Sequence, residues 1–523
     1  RGPRQDPRRL YRACRRDLHS ATGRTRHCGT GASSYNDLLV STYYVDATAG
    51  SDTNPGTSEG AAWRTLKHAA AREFRAGDRL LLARGGAWHE PMVLNGRGDP
   101  ANPILLGAFG TGPRPAIHGG ETHAVAAARP VGGWRISGLE LTSTNASNPT
   151  RKIEGGTSGV FLSQEETGHG FVIDDCRIHD TSGPGIHFRG RGAPAPMITG
   201  AVIEGCEIWN ASCGIQFACD GSFSTEFFPD FRIAHVDVHD IGGDGIVPFC
   251  SRDGVIEHCR AWRTGLGVDP KDHSPVAIWY AWSLRSVIQF CEAWDNHTGG
   301  RGADGGGFDL DGGCTDCVLQ YNHSHDNDGA GFLICSWDPA LWPCTGCVTR
   351  FNLSVNDGLQ NDYGGITFWQ ATGCLTYNNT VIARKAPALK FLSDTRDHLI
   401  ANNLFVADTA GDVPLVKSGF DVRANKFLHN LYHRTGGAAR FEVPGLADGS
   451  FRLFAQHISG VREVNADPLL VDLAKPDVRL KAGSPARGLG LRIPAMGGVD
   501  FGRRPLPDRG PVDLGCMAMR EDE

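Results

Sequence analysis

Short steps in which apolar and polar residues alternate recur along the middle of the chain: VIDDC at 172–176, VIEGC at 202–206, VIEHC at 255–259, VIQFC at 287–291, VLQYN at 318–322 and VTRFN at 348–352. Most are followed, about ten residues later, by a run that enters at Gly-Ile or Gly-Phe. Alternation over only three to five residues predicts short strands, and repetition at a near-fixed period predicts stacked coils instead of one globular core.

Aligning the steps places Cys176, Cys206, Val236, Cys259, Cys291, Asn322, Asn352, Asn379, Asn403 and Asn430 in one column, 23 to 32 residues apart. In a single-stranded parallel β-helix, successive coils lie ~4.8 Å apart, so one position per coil stacks on itself. Buried Asn amides then hydrogen-bond along the stack, and buried thiols pack as small apolar groups. A leucine-rich or other αβ solenoid needs amphipathic helical segments between its strands, and none lies there. The expected fold is therefore an all-β, right-handed parallel β-helix over 131–435. An N-terminal cap with the first coils fills 41–130, with 66–74 as a capping helix, and 436–523 forms a C-terminal cover. Caps are needed because end coils expose strand edges and an apolar core.

Composition changes this picture little. The chain has 523 residues, 69 glycines, 29 prolines and a net charge of -6. No basic field points to nucleic acid, and no apolar run approaches a membrane span; a monomer is expected. Residues 1–40 are crowded with arginine (Arg8, Arg9, Arg12, Arg15, Arg16) and are expected to be a disordered basic tail or an upstream extension, a DNA-binding arm being the alternative.

Both ends of the remainder carry motifs. From Tyr43 the chain reads YYVDATAGSDTNPGTSEGAAWRTLKHA, then AGDRLLLARGGAW; near the other end it reads NADPLLVDLAKPDVRLKAGSPARGLG, followed by VDLG. These resemble the opening and closing segments of secreted, pectin-lyase-like β-helix enzymes that act on polysaccharides. The resemblance covers about 43–520 and implies export and a polysaccharide or oligosaccharide substrate; it specifies no reaction.

Most of the sixteen cysteines follow the register. Four belong to the ladder, Cys317, Cys347 and Cys374 form a second column, and Cys219 stacks on Cys250 within reach of a disulfide. The pairs Cys314/Cys317 and Cys344/Cys347 allow zinc, but their gap is longer than in zinc ribbons, so disulfides or packed thiols are preferred.

With Ile186, Ile215, Ile246, Val276, Phe308, Phe332, Ile366 and Leu389 pointing inward, the residues one and three places later point outward. That face then carries His187, Arg189, Trp279, Asp309, Asp311, Trp369 and Lys390, a mixture of charge and aromatics suited to an extended sugar. Its densest stretch is DGGGFDLDGG at 304–313. Asp309 and Asp311 should face one way, ~6.5–7 Å apart at their backbones, a spacing compatible with an inverting hydrolase, or with a retaining one where side-chain rotamers close the gap. Trp279 and Trp369 are candidate stacking platforms. The entries to Val276 and Phe308 take about seventeen residues from the ladder instead of about ten, and so bring Lys271, Asp272, His273 and Arg301 to the same place. His325 is a candidate to orient a carboxylate. Asp272, Asp304, Asp328 and Asp362 each lie four residues before an inward residue. They are read as turn formers, as a Ca²⁺ column, or as acids that raise one another's pKa, with Asp304 or Asp328 assisting catalysis.

The string GGGFDLDGGCTDC is also similar to the active-site strand of β-helix pectate lyases, Gly-Phe-Lys-Leu-Gly-Gly, with Asp309 in the lysine's place. That resemblance implies a base acting with Ca²⁺ held one coil earlier, where this chain has SPVAIWYAW. An unperturbed Asp is a poor base for such an abstraction. The preferred reading is a glycoside hydrolase needing no cofactor, with Asp309 and Asp311 as acid and base. A Ca²⁺-dependent lyase using Lys271 and a non-catalytic glycan-binding β-helix are the alternatives.

Overall fold

A computed structural model of the chain describes residues 40–127, 131–144, 156–164, 166–190, 197–219, 221, 223–267, 274–298, 304–409, 411–494 and 496–518. Lys271, Asp272, His273 and Arg301 lie outside the described residues.

Each coil contributes one strand to each of three sheets of 14, 14 and 13 strands, and neighbouring coils pair in parallel throughout. This is a parallel β-helix, as the period requires. In the first two sheets most strands are three residues long with only the middle one buried, as in Val172–Asp174 and Glu207–Trp209. The first sheet is joined to the second by one residue in the left-handed region, among them Phe290 at φ 54°, Tyr321 at 59° and Phe351 at 51°. Such a backbone costs a bulky residue about 1–2 kcal/mol, and the ladder residue that follows offsets it. Asn322 Oδ1 accepts the Cys291 N–H at 3.0 Å, and Asn352 Oδ1 accepts the Asn322 N–H at 2.9 Å. The bonds continue through Asn379 and Asn403 to Asn430, at 3.0, 2.9 and 3.0 Å.

A second polar ladder, not anticipated, stands at the next turn. Thr264, Asn296, Asn327 and Asp357 are all buried and linked side chain to side chain at 2.9, 2.7 and 2.7 Å. Only two of its four members are the same residue, so no long repeated column marks it.

The cysteines pack as thiols. Cys314, Cys317 and Cys344 donate to the carbonyls of Tyr280, Ser283 and Leu310 at 3.3, 3.3 and 3.4 Å, and Cys219 is bonded to Cys250. The four thiols of the zinc alternative do not converge; the grouping that does form is Cys344, Cys347 and Cys374, fully buried.

At the N-terminal end a helix runs over Leu66–Ala70, with the Thr65 hydroxyl accepting the His68 N–H, and buries Leu66 and Ala69. At the other end the helix Phe451–His457 seats Phe454 on Phe441, ring centroids 4.2 Å apart. The rest of the C-terminal segment turns back along the stack. Asn402 and Asn378 donate to the carbonyls of Leu491 and Asp513, and Arg503 lies 4.4 Å from the Phe290 ring centroid. No helix among the described residues is long and apolar enough to cross a membrane.

Candidate functional site

The third sheet departs from one-sided burial in several coils, three of them adjacent around the acids. Val276–Tyr280, Gly306–Leu310 and Phe332–Cys335 are buried at every position. The register pairs Trp279 with Asp309, Asp309 with Leu333, Leu333 with Thr367 and Thr367 with Lys390, so the expected row is real from Asp309 onward. One coil is offset by two residues: Ile278, not Val276, pairs with Ile246 and Phe308.

Asp309 is 1 % exposed, whereas Asp304 and Asp311 are partly exposed. The side chains of the pair approach each other, as rotamers of two residues on one face allow. Asp309, Asp311 and Cys335 each bring one polar atom within 4.8 Å of the others. Asp311 follows directly on the strand Gly306–Leu310, and its backbone N–H still donates to the Tyr280 carbonyl at 2.9 Å. The Cys335 thiol donates to Asp311 Oδ1 at 2.6 Å and lies 3.8 and 3.9 Å from the Asp309 oxygens. The Gly312 N–H also donates to Asp311 Oδ1, at 2.7 Å. Burial, then the charges of Asp311 and Asp304, pushes Asp309 well above the carboxyl range. Burial pushes Asp311 up to about 6.

A cluster of aromatic rings from several coils stands against Gly312 and Gly313, next to Asp311. Phe223 stacks on Trp282 at 3.9 Å, and Trp337, Trp342 and Phe249 meet Trp282 edge-on at 5.1, 5.9 and 5.4 Å. Trp337 and Phe223 remain 40 % and 39 % exposed, which leaves ring surface for a ligand. The wall comes up to the acids closely: a Cβ on Gly312 would lie 3.0 Å from the Trp337 ring. Tyr363 and Trp369 pack beside Cys335, and burial with the Asp304 charge pushes the Tyr363 hydroxyl upward. Phe223, Trp282, Trp337, Trp342 and Tyr363 were missed from sequence. The one available signal was SWDPALWP at 336–343, a strand-to-strand connection with two tryptophans.

Several expected site residues lie elsewhere or are otherwise engaged. Trp279 is 8 % exposed and its Nε1 donates to buried Asp244 at 2.9 Å, so it supports the site from beneath and offers no open platform. Lys390 is 7 % exposed and bonded to Asp362 at 2.5 Å, and Lys417 reaches the same oxygen at 2.6 Å. Asp328 accepts from the Thr298 N–H at 3.2 Å and pairs with His297 at 3.3 Å. With Asp362 on two lysines and Asp328 on a histidine, the described members of the Ca²⁺ column do not converge. His325 lies on the second sheet, not beside Asp309; it pairs with Asp326 and Glu292 and stacks on Trp294. His187 and Arg189 share the third sheet but sit four strands from Asp309, about 19 Å at the strand spacing.

Residues 198–341 match the family described as right handed beta helix region. Over 477 residues the chain is 23% identical to the lacto-N-biosidase of Bifidobacterium longum subsp. longum, covering 70% of this chain and 29% of that protein. The chain thus spans under a third of that relative's length. Among solved structures, the GH136 lacto-N-biosidase from Eubacterium ramulus is similar with a TM-score of 0.56 at 20% identity, over 69% of this chain and 68% of that one. XylC in complex with xylose gives a TM-score of 0.53 at 13% identity, over 91% and 98% of the two chains. These likenesses establish the fold, a right-handed parallel β-helix.

Proposed function

We propose that this chain is a glycoside hydrolase acting on an oligosaccharide, with Asp304, Asp309 and Asp311 as its reaction centre. The observation that carries the reading is the close pair Asp309 and Asp311 beside an aromatic wall, both with raised pKa and with the Asp304 charge acting on Asp309. Carboxyls whose surroundings push their pKa values apart can divide acid and base roles near neutral pH. Asp311, partly exposed and titrating near 6, is the proton donor to the departing sugar oxygen. Asp304 is the other carboxyl of the group that solvent reaches, and it serves as the opposing carboxylate. Asp309, enclosed between its neighbours, is kept neutral by burial and by the charges of Asp311 and Asp304. Trp337 and Phe223 are the surfaces on which a pyranose face stacks. The names of the two distant lacto-N-biosidases point to the same class of reaction. An extracytoplasmic location belongs to this reading, supported by the Cys219–Cys250 bond.

The test is a glycan panel that includes oligosaccharides ending in lacto-N-biose, read for reducing ends and for the ultraviolet absorbance of unsaturated products. New reducing ends without absorbance support hydrolysis. Absorbance would replace it with elimination, and binding without any product would leave a glycan-binding protein.

A further inference from the structure

On the outer face of the second sheet, three potential metal ligands meet on two neighbouring strands. Glu292 begins Glu292–Trp294 and is paired directly with His323, which begins His323–His325. His323 and His325 are two apart on one strand and therefore share its outer face. Glu292 Oε1 lies 3.3 Å from His323 Nδ1 and 3.5 Å from His325 Nε2. One ligand atom from each residue falls within 4.8 Å of the other two. A tetrahedral ion with ligands at 2.0–2.2 Å holds them about 3.4 Å apart, so these gaps match an ion at their centre.

Two features separate this place from an ordinary ion pair. First, the far nitrogen of His325, Nδ1, is bonded to Asp326 Oδ2 at 3.0 Å, which turns Nε2 toward Glu292. A carboxylate on the second nitrogen is how metal-bound histidines are usually oriented. Second, the same frame recurs along the stack without the third ligand. His179 is held by Asp180 and faces Glu140, and His239 is held by Asp240 and faces Glu207, but the positions equivalent to His323 are Arg177 and Asp237. Only in this one of the three coils does an imidazole replace a charged side chain opposite the glutamate. The side chains of Glu292, His323 and His325 are 40%, 27% and 23% exposed, which leaves an ion a way in, and Phe501 of the C-terminal segment meets the His323 ring edge-on.

We propose that Glu292, His323 and His325 form a binding site for a divalent cation of the zinc type, with water in the fourth position and Asp326 orienting His325. Such an ion would tie two adjacent coils together on the face of the helix away from the acid cluster.

The experiment titrates the full chain, stripped of metal and held reduced, with Zn²⁺ alone, following heat and thermal transition, with Ca²⁺ as comparison. One Zn²⁺ per chain and a raised transition are expected, and Ca²⁺ should not compete. His323→Arg, which copies the Arg177 coil, should fold, keep activity and lose the site, and Asp326→Asn should weaken binding by about tenfold or more. Wild-type affinity in His323→Arg, or no zinc retained by the parent, would overturn the proposal. So would loss of binding in Cys344→Ser with His323 intact, because the ion would then sit among the buried thiols of Cys344, Cys347 and Cys374.

Discussion

Asp309 and Asp311 are two residues apart and chemically unlike, because one is sealed and the other reaches solvent. Replacing a carboxyl that is already neutral by an amide changes little, so Asp309→Asn should cost much less turnover than Asp311→Asn, which should lose about 10²-fold or more. Parallel kinetics with thermal melts of each variant check this. Equal losses with both transitions intact would make Asp309 a reacting group. As proton donor, Asp311 must hold its proton, so turnover should fall as pH rises through about 6. The Cys335 thiol, bonded to Asp311, lowers that pKa, so Cys335→Ala should move the falling limb to higher pH. The acids were legible because DGGGFDLDGG concentrates them within ten residues. The rings beside them were not legible, because they reach the site from connections of several coils that follow no repeat.

The asparagine ladder could be read from sequence because identical residues recur at the coil period, whereas the chemistry that ends it could not. Its last member, Asn430, donates from its backbone and amide nitrogens to Glu463, as does the Tyr432 hydroxyl at 2.8 Å. Asn352→Ala would strand the Asn322 N–H and the Leu319 carbonyl. At about 1–3 kcal/mol for each buried group left unpaired, a loss of about 2–6 kcal/mol is expected in denaturant unfolding. Burial raises Glu463 from 4.5 to about 7, so between those values the folded state binds the extra proton. Stability from this group is therefore greatest in acid, declines as pH rises through that window and is level above it, a change on the order of 3 kcal/mol. Glu463→Gln should remove this component, measured as the difference between the two proteins' stability profiles from pH 4.5 to 8. Identical profiles would show that Glu463 is not buried at the ladder's end.

At the scale of the molecule, the acid cluster sits in the middle of a stack in which each coil touches chiefly its neighbours, and that arrangement makes stability and activity separable. The coil-by-coil order was legible from the period alone. The return of the C-terminal segment over Phe290, Phe351 and Tyr377 was not, because that contact follows no repeat. Phe454 is fully buried against Phe441, Tyr432 and Phe427 at the end of the stack. Phe454→Ala should cost about 3–5 kcal/mol where the ring was lost. In a quasi-one-dimensional fold such a loss opens the nearest coils first. Hydrogen exchange should therefore accelerate across 399–441 while the strands at 306–310 and 332–335 stay protected, and turnover at a temperature below the first transition should stay close to that of the parent. If exchange rises evenly along the whole chain and activity falls with it, the stack unfolds as one unit, and lesions at its end cannot be separated from the chemistry at its middle.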